Sequence, residues 1–125
     1  NNLNLFEEGK LTALLHKRDD PREIHEQEVL DMMTINGAKA LGMGDEIGSI
    51  EIGKKADLIM IDLGSPEMNP VHGKEGLVSN LIYSFGGNVS DVIVDGRMVF
   101  RDGELRSFDE QRIIDEIDVR KRKFS

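Results

Sequence analysis

The chain has no cysteine and no tryptophan, one tyrosine and three prolines among its 125 residues. Without cysteine, disulfides and thiolate metal sites are excluded, and a reducing cytoplasmic setting is the plain expectation. With only 5% aromatics, the core has to be aliphatic, built from Ile, Leu, Val and the six Met. No apolar run approaches the roughly 18 residues of a membrane span, and neither a basic nor an apolar leader opens the chain. Positive charge is also scarce. With 16 basic against 24 acidic residues the net charge is −8, which opposes binding to nucleic acid or to an anionic membrane surface. The one basic run, Arg120 to Lys123, closes a predicted helix, where cations suit the macrodipole. The first residue is not Met, so the expectation is a piece of a longer protein.

What is present reads as one α+β unit, since 38% hydrophobic and 32% charged residues are ordinary for a globular domain. Asn4 can cap a helix from about Leu5 to Lys17, with Phe6, Leu11, Leu14 and Leu15 as its apolar stripe. Gly9 within it costs roughly 1 kcal/mol relative to Ala, which argues that a neighbour supports this helix. Arg18-Asp19-Asp20-Pro21 is a turn signal. Val29, Leu30, Met33, Ile35, Gly37 and Leu41 then recur at helical spacing from about His25 to Leu41, with Gly42 and Gly44 as the stop.

The segment Gly48 to Leu63 reads as two short strands joined by a tight turn. Ile50 and Ile52 alternate with polar neighbours in the first, and Leu58, Ile59, Met60 and Ile61 form one run in the second. Apolar side chains on both faces mark Leu58 to Ile61 as a central strand. The expected core is Ile50, Leu58, Ile59, Met60, Ile61, Val92, Val94 and Val99. Met68 to Gly76 reads as a loop, and Leu77 to Ser84 as a short helix. Asp95-Gly96 and Asp102-Gly103 punctuate Asp91 to Leu105 into a three-stranded meander. Ser107, with Glu110, caps a last helix whose buried stripe is Ile113, Ile114 and Ile117.

Candidate chemistry is sparse. His16, His25 and His72 form no H-x-H, no H-E-x-x-H and no i, i+4 pair, so surface or capping roles are expected for them. Gly42-x-Gly44 and Gly86-Gly87 lack the strand-to-helix context of a phosphate loop. Ser79, Ser84 and Thr34 have no base at recognisable spacing. No catalytic, metal-binding or substrate-binding residue is assigned within the chain.

Five stretches together resemble the metal-dependent amidohydrolases. They are Asn1 to Glu8, Thr34 to Gly42, the motif G-x-I-x-x-G-K-x-A-D-L-h-h-h-D (h apolar) from Gly48 to Asp62, Val78 to Ser84, and Val92 to Gly96. Within that superfamily they are most similar to the methylthioadenosine/S-adenosylhomocysteine deaminases and their chlorohydrolase-like relatives; Gly9 departs from the larger residue of that pattern. The resemblance implies a (β/α)₈ barrel with a divalent metal, usually zinc, held by an H-x-H pair, two more histidines and an aspartate. Those ligands would all precede Asn1, and Asn1 and Asn2 would lie near the active-site rim with no assigned role. Residues 1–46 would then be the last barrel helices, 47–106 the C-terminal part of a small β-sandwich, and 107–125 a C-terminal helix. The implied reaction is deamination of an adenosine derivative by a cytoplasmic homo-oligomer acting on a small nucleoside or related amine. The alternative is a free-standing module that binds a protein or oligomerises through its apolar stripes.

Overall fold

A computed structural model describes residues 3–18, 20–87, 89–106 and 109–121, the side chain of Glu110 excepted. Asn1, Asn2, Asp19, Asn88, Ser107, Phe108 and residues 122–125 lie outside the described residues, and with them the expected rim position of Asn1 and Asn2 and the expected roles of Ser107, Arg122 and Lys123.

Helix α1 spans Leu5–His16 and opens on Asn4, whose Oδ1 accepts the amides of Phe6 and Glu7 at 3.1 and 3.4 Å. The face it buries is not the expected one. Leu11, Leu14 and Leu15 are exposed, and the buried residues are Gly9 and Ala13. A Cβ added at Gly9 would stand 2.5 Å from Met33 Sδ and 3.4 Å from Val29 Cγ1. The glycine that weakens the helix locally is therefore what lets it approach its neighbour so closely.

The single helix expected from His25 to Leu41 is two, α2 over Glu26–Met33 and α3 over Ile35–Ala40. The break falls at Thr34, with φ −124° and ψ −101°. Its hydroxyl donates to the Leu30 carbonyl at 2.7 Å, and such back-bonding by a β-branched residue competes with the helical ladder. Helix α3 ends as expected at Gly42, in the left-handed region at φ 73°, where Met43 N–H donates to the Ala38 carbonyl and Gly42 N–H to that of Lys39.

Strand β1 is Leu58–Ile61, β2 Val89–Val94, β3 Arg97–Arg101 and β4 Glu104–Leu105, in one antiparallel sheet of order β1-β2-β3-β4. The predicted meander is present. Both Asp-Gly pairs sit at positive φ, 49° and 75° for Asp95-Gly96 and 52° and 83° for Asp102-Gly103, the pattern that matches hairpin twist.

Two expectations about the sheet fail. Strand β1 lies at the edge, because its far side finds no partner strand among the described residues. The segment from Ile50 to Ile52 forms no strand, with Ile50 87% exposed. Of the expected core, Ile50, Ile59, Met60 and Val94 are exposed, while Leu58, Ile61, Val92 and Val99 are half-buried. Apolar alternation states which faces need cover; it does not supply the cover.

The packed centre is helical instead: Ala13, Ile24, Val29 and Ile82 with Met33 and Tyr83 against them. Helix α4, Gly73–Tyr83, begins four residues before the expected Leu77, so the loop predicted over Met68 to Gly76 is shortened to Met68–His72, and a 3₁₀ turn at Pro66–Met68 leads into it. Met68 is fully buried beneath α4. Asn80 Nδ2 donates to the carbonyls of Met68 and Pro70 at 3.0 and 3.2 Å. The Phe6 and Phe85 rings meet at 4.4 Å between centroids and join the start of α1 to the end of α4.

Helix α5, Glu110–Lys121, is capped by Asp109, whose Oδ1 accepts the amides of Gln111 and Arg112 at 3.0 and 3.3 Å. Its expected buried stripe is not buried. Ile113, Ile114 and Ile117 are each more than two-fifths exposed.

Candidate functional site

The three histidines fall at three separate helix ends. His16 is the last residue of α1, with Nδ1 3.9 Å from Glu23. His25 stands before α2, its backbone N–H donating to Glu28 Oε2 at 2.8 Å, and His72 stands before α4. Among the described residues, no three His, Cys, Asp or Glu side chains gather into a group that could hold a metal ion. A zinc ion does not fit the donors found among the described residues.

Two of the concave regions open to solvent border α2. The first, of 660 Å³, lies between α2 and α4 and is lined by His25, Glu26, Gln27, Glu28, Lys74 and Glu75. The second, of 550 Å³, is an apolar groove between the helices and β1, with Met32, Leu41, Ile50 and Ile59 on its walls.

Two polar ties do hold the elements, and both centre on a lysine. At the first, Lys17 Nζ donates to Glu26 Oε1 at 2.5 Å and lies 5.4 Å from the Tyr83 ring centre. Lys17 and Glu26 side chains are three-quarters buried, so the end of α1, the start of α2 and the end of α4 meet there. The Glu26 carboxylate raises the Lys17 pKa above the usual ammonium value, and the hydroxyl of Tyr83 adds to the effect. Glu26 is held below the ordinary carboxylate range, first by the Lys17 hydrogen bond.

The second tie explains the motif. Lys54, with a side chain only 11% exposed, donates to the Gly44 carbonyl and to Ser49 Oγ, each at 2.6 Å, and stands 3.2 Å from Glu51 Oε1. Ser49 also bonds Glu51, and these contacts hold the Glu51 carboxyl below its ordinary value, Ser49 having the larger effect. Further along, Asp57 Oδ1 accepts the Asp95 amide at 2.7 Å and the Ala56 carbonyl accepts that of Gly96 at 3.0 Å. At the motif's start, Gly48 lies at φ 90°, where a Cβ would meet Ala38 Cβ at 2.6 Å and Ile35 Cα at 3.0 Å. Gly48, Ser49, Glu51, Lys54 and Asp57 thus fold the turn and fasten it to α3 and to the β2–β3 hairpin. Sequence reasoning found the motif and missed this use of it, although a lysine flanked by small and acidic residues within five positions was a readable sign.

The described residues thus form an assembly of helices and a small sheet, fastened by two lysine-centred ties. The chain belongs to the amidohydrolase family, whose profile matches residues 1–99. It is 44% identical over 115 residues to the 5'-deoxyadenosine deaminase of Methanocaldococcus jannaschii, covering 90% of this chain and 26% of that protein. It is 47% identical over 116 residues to the 5-methylthioadenosine/S-adenosylhomocysteine deaminase of Acetivibrio thermocellus, with the same coverage. The chain therefore spans about a quarter of the length of these curated relatives. An adenosine deaminase of Xanthomonas campestris, solved with bound zinc, superposes with a TM-score of 0.89 at 36% identity, over 98% of this chain and 28% of that one. A mutant atrazine chlorohydrolase of Arthrobacter aurescens, complexed with zinc and atraton, does so with a TM-score of 0.79 at 26% identity, over 91% and 25%. The α+β architecture is that of a fragment of the amidohydrolase fold. No helix among the described residues is long and apolar enough to cross a membrane.

Proposed function

We propose that this chain is the C-terminal portion of a metal-dependent amidohydrolase whose full-length form deaminates an adenosine derivative and releases ammonia. The observation that carries the reading is the 44% and 47% identity, over 90% of the chain, to deaminases of adenosine-type substrates. Residues 1–46 are then the last barrel helices, 47–106 the β-sandwich portion and 107–125 the C-terminal helix. The divalent metal, zinc by analogy with the zinc-bound neighbours, is held by residues outside this chain. The part played by this chain is structural. Leu11, Leu14 and Leu15 of α1 present an exposed apolar face for the rest of the barrel, and the Lys54 tie shapes the turn ahead of β1. The full protein works in this reading as a cytoplasmic homo-oligomer on a small nucleoside or related amine.

A second reading, a non-catalytic module that binds a protein or itself, draws support from the exposed Ile113, Ile114 and Ile117 of α5. Metal analysis and ammonia release on 5'-deoxyadenosine, methylthioadenosine and S-adenosylhomocysteine, run on the isolated chain and on the full-length gene product, test both. Turnover by the full-length product alone supports the proposal. Stoichiometric zinc with turnover in the isolated chain would refute the placement of the metal outside it, and a metal-loaded full-length product inert on all three would refute the deaminase reading.

A further inference from the structure

The two Asp-Gly turns share a dipeptide and a backbone shape, with φ near 50° at each aspartate. Around both glycines there is open space, since a Cβ at Gly96 or Gly103 would meet nothing within 4 Å. They differ in what the glycine amide does. Gly96 N–H donates to the Ala56 carbonyl at 3.0 Å. The aspartate amides are bonded in both turns, Asp95 N–H to Asp57 Oδ1 at 2.7 Å and Asp102 N–H to the Ser90 carbonyl at 3.1 Å. Gly103 N–H finds no acceptor among the described residues. The Asp102 side chain is 80% exposed, with Arg101 Nε 3.6 Å from its Oδ2.

An aspartate followed by glycine carries an internal reaction. The deprotonated glycine nitrogen attacks the side-chain carboxyl carbon, a new N–C bond forms, and the carboxyl hydroxyl leaves as water. Water then adds to either carbonyl of the resulting five-membered imide and breaks one of its two C–N bonds. The products are aspartate and isoaspartate, with no net change in composition and no other reactant. Glycine favours the attack because no Cβ obstructs it, whereas an N–H already donated to a carbonyl must first give up that bond.

We propose that Asp102-Gly103 is a site of spontaneous isoaspartate formation, and that Asp95-Gly96 is protected from the same reaction by the bond of its glycine amide to Ala56. The modified residue gains a free α-carboxylate, the type of group that carboxyl-methylating enzymes esterify. Its main chain is longer by one methylene, which disturbs the pairing of Arg101 with Glu104 across that turn. The inference is independent of the deaminase reading.

The test ages the full chain at physiological temperature and neutral pH, then maps isoaspartate by peptide fragmentation that distinguishes it from aspartate. Isoaspartate at 102 should exceed that at 95 by about three- to tenfold, the factor expected from one net backbone hydrogen bond of about 1 kcal/mol. Asp102→Glu should abolish the signal at 102 and leave 95 unchanged. Asp57→Ala, which loosens the protected turn, should raise the level at 95 toward that at 102. Equal accumulation at both sites in the unchanged chain, an excess at 95, or none at either would overturn the proposal.

Discussion

The helical part and the sheet are held together differently. Ala13, Val29, Ala38, Val78 and Ile82 in the helices are buried, whereas no residue of β1 to β4 is. The helices make their own core from small and branched side chains at close approach. The sheet depends on its ladder, on the Asp57 and Ala56 bonds to one of its turns, and on cross-strand contacts such as Arg101 Nε to Asp91 Oδ1 at 3.6 Å. A sequence can therefore specify strands and turns that form correctly while leaving both sheet faces open.

The sharpest test of that contrast is Ile82→Ala, which should cost about 2–5 kcal/mol in a denaturant melt because it empties a buried site. A loss as small as that of an exposed residue would mean that the helical core is not the centre of stability. Next comes Gly48→Ala. The left-handed φ and the contacts at 2.6 and 3.0 Å, one of them to backbone, leave a new Cβ no room, so about 1–3 kcal/mol should be lost. An unchanged melting point would show that the turn does not need its approach to α3.

Breaking the Lys17 tie should have a smaller effect, about 1–2 kcal/mol for Glu26→Gln. Its pH dependence has a definite sign. Because folding lowers the Glu26 pKa, its contribution is present above the unfolded value of about 4.3 and lost as pH falls through the folded one. Because folding raises the Lys17 pKa, that contribution is present below about 10.4 and lost as pH climbs beyond it. Melting curves across acid pH should converge for wild type and variant; a constant gap would sink the assignment. Least of all should come Ile59→Ala in this chain, below about 1 kcal/mol for a residue 48% exposed. The expectation from sequence, a buried central strand, requires a loss of about 2–5 kcal/mol. Measuring the same change in the full-length protein would show whether the missing cover is supplied there.

What the sequence made legible was local. The Asn4 cap, the stop at Gly42 and both Asp-Gly turns follow from the chemistry of one to four adjacent residues. Thr34 was harder, since the same apolar spacing runs through it and only the hydroxyl's bond to Leu30 shows the break. The rank of β1 in the sheet was not legible, because Leu58 to Ile61 has the pattern of a covered strand wherever it lies. The useful face of α1 was misread for a related reason: leucines draw attention, but Gly9 and Ala13 are the residues that permit contact. For the candidate site, the motif was visible, and its role as a tie became clear only when Lys54 was seen surrounded by oxygen.

The bond from Asp95 to Asp57 spans 38 positions, and this bears on the order in which the sheet assembles. Closing a loop of that length costs about 3 kcal/mol of chain entropy, whereas a two-residue hairpin closes in microseconds. Strands β2 and β3 should therefore pair first, with β1 joining only when Asp57 reaches the turn already made. Pulsed hydrogen exchange during refolding should show amides protected by the β2–β3 pairing before those protected by β1, and the reverse order would exclude this sequence of events. The carboxylate of Asp57 then acts as a latch: it recognises a finished hairpin by the upturned amide of Asp95, while the Ala56 carbonyl beside it takes the amide of Gly96, and together they fix the last strand to it.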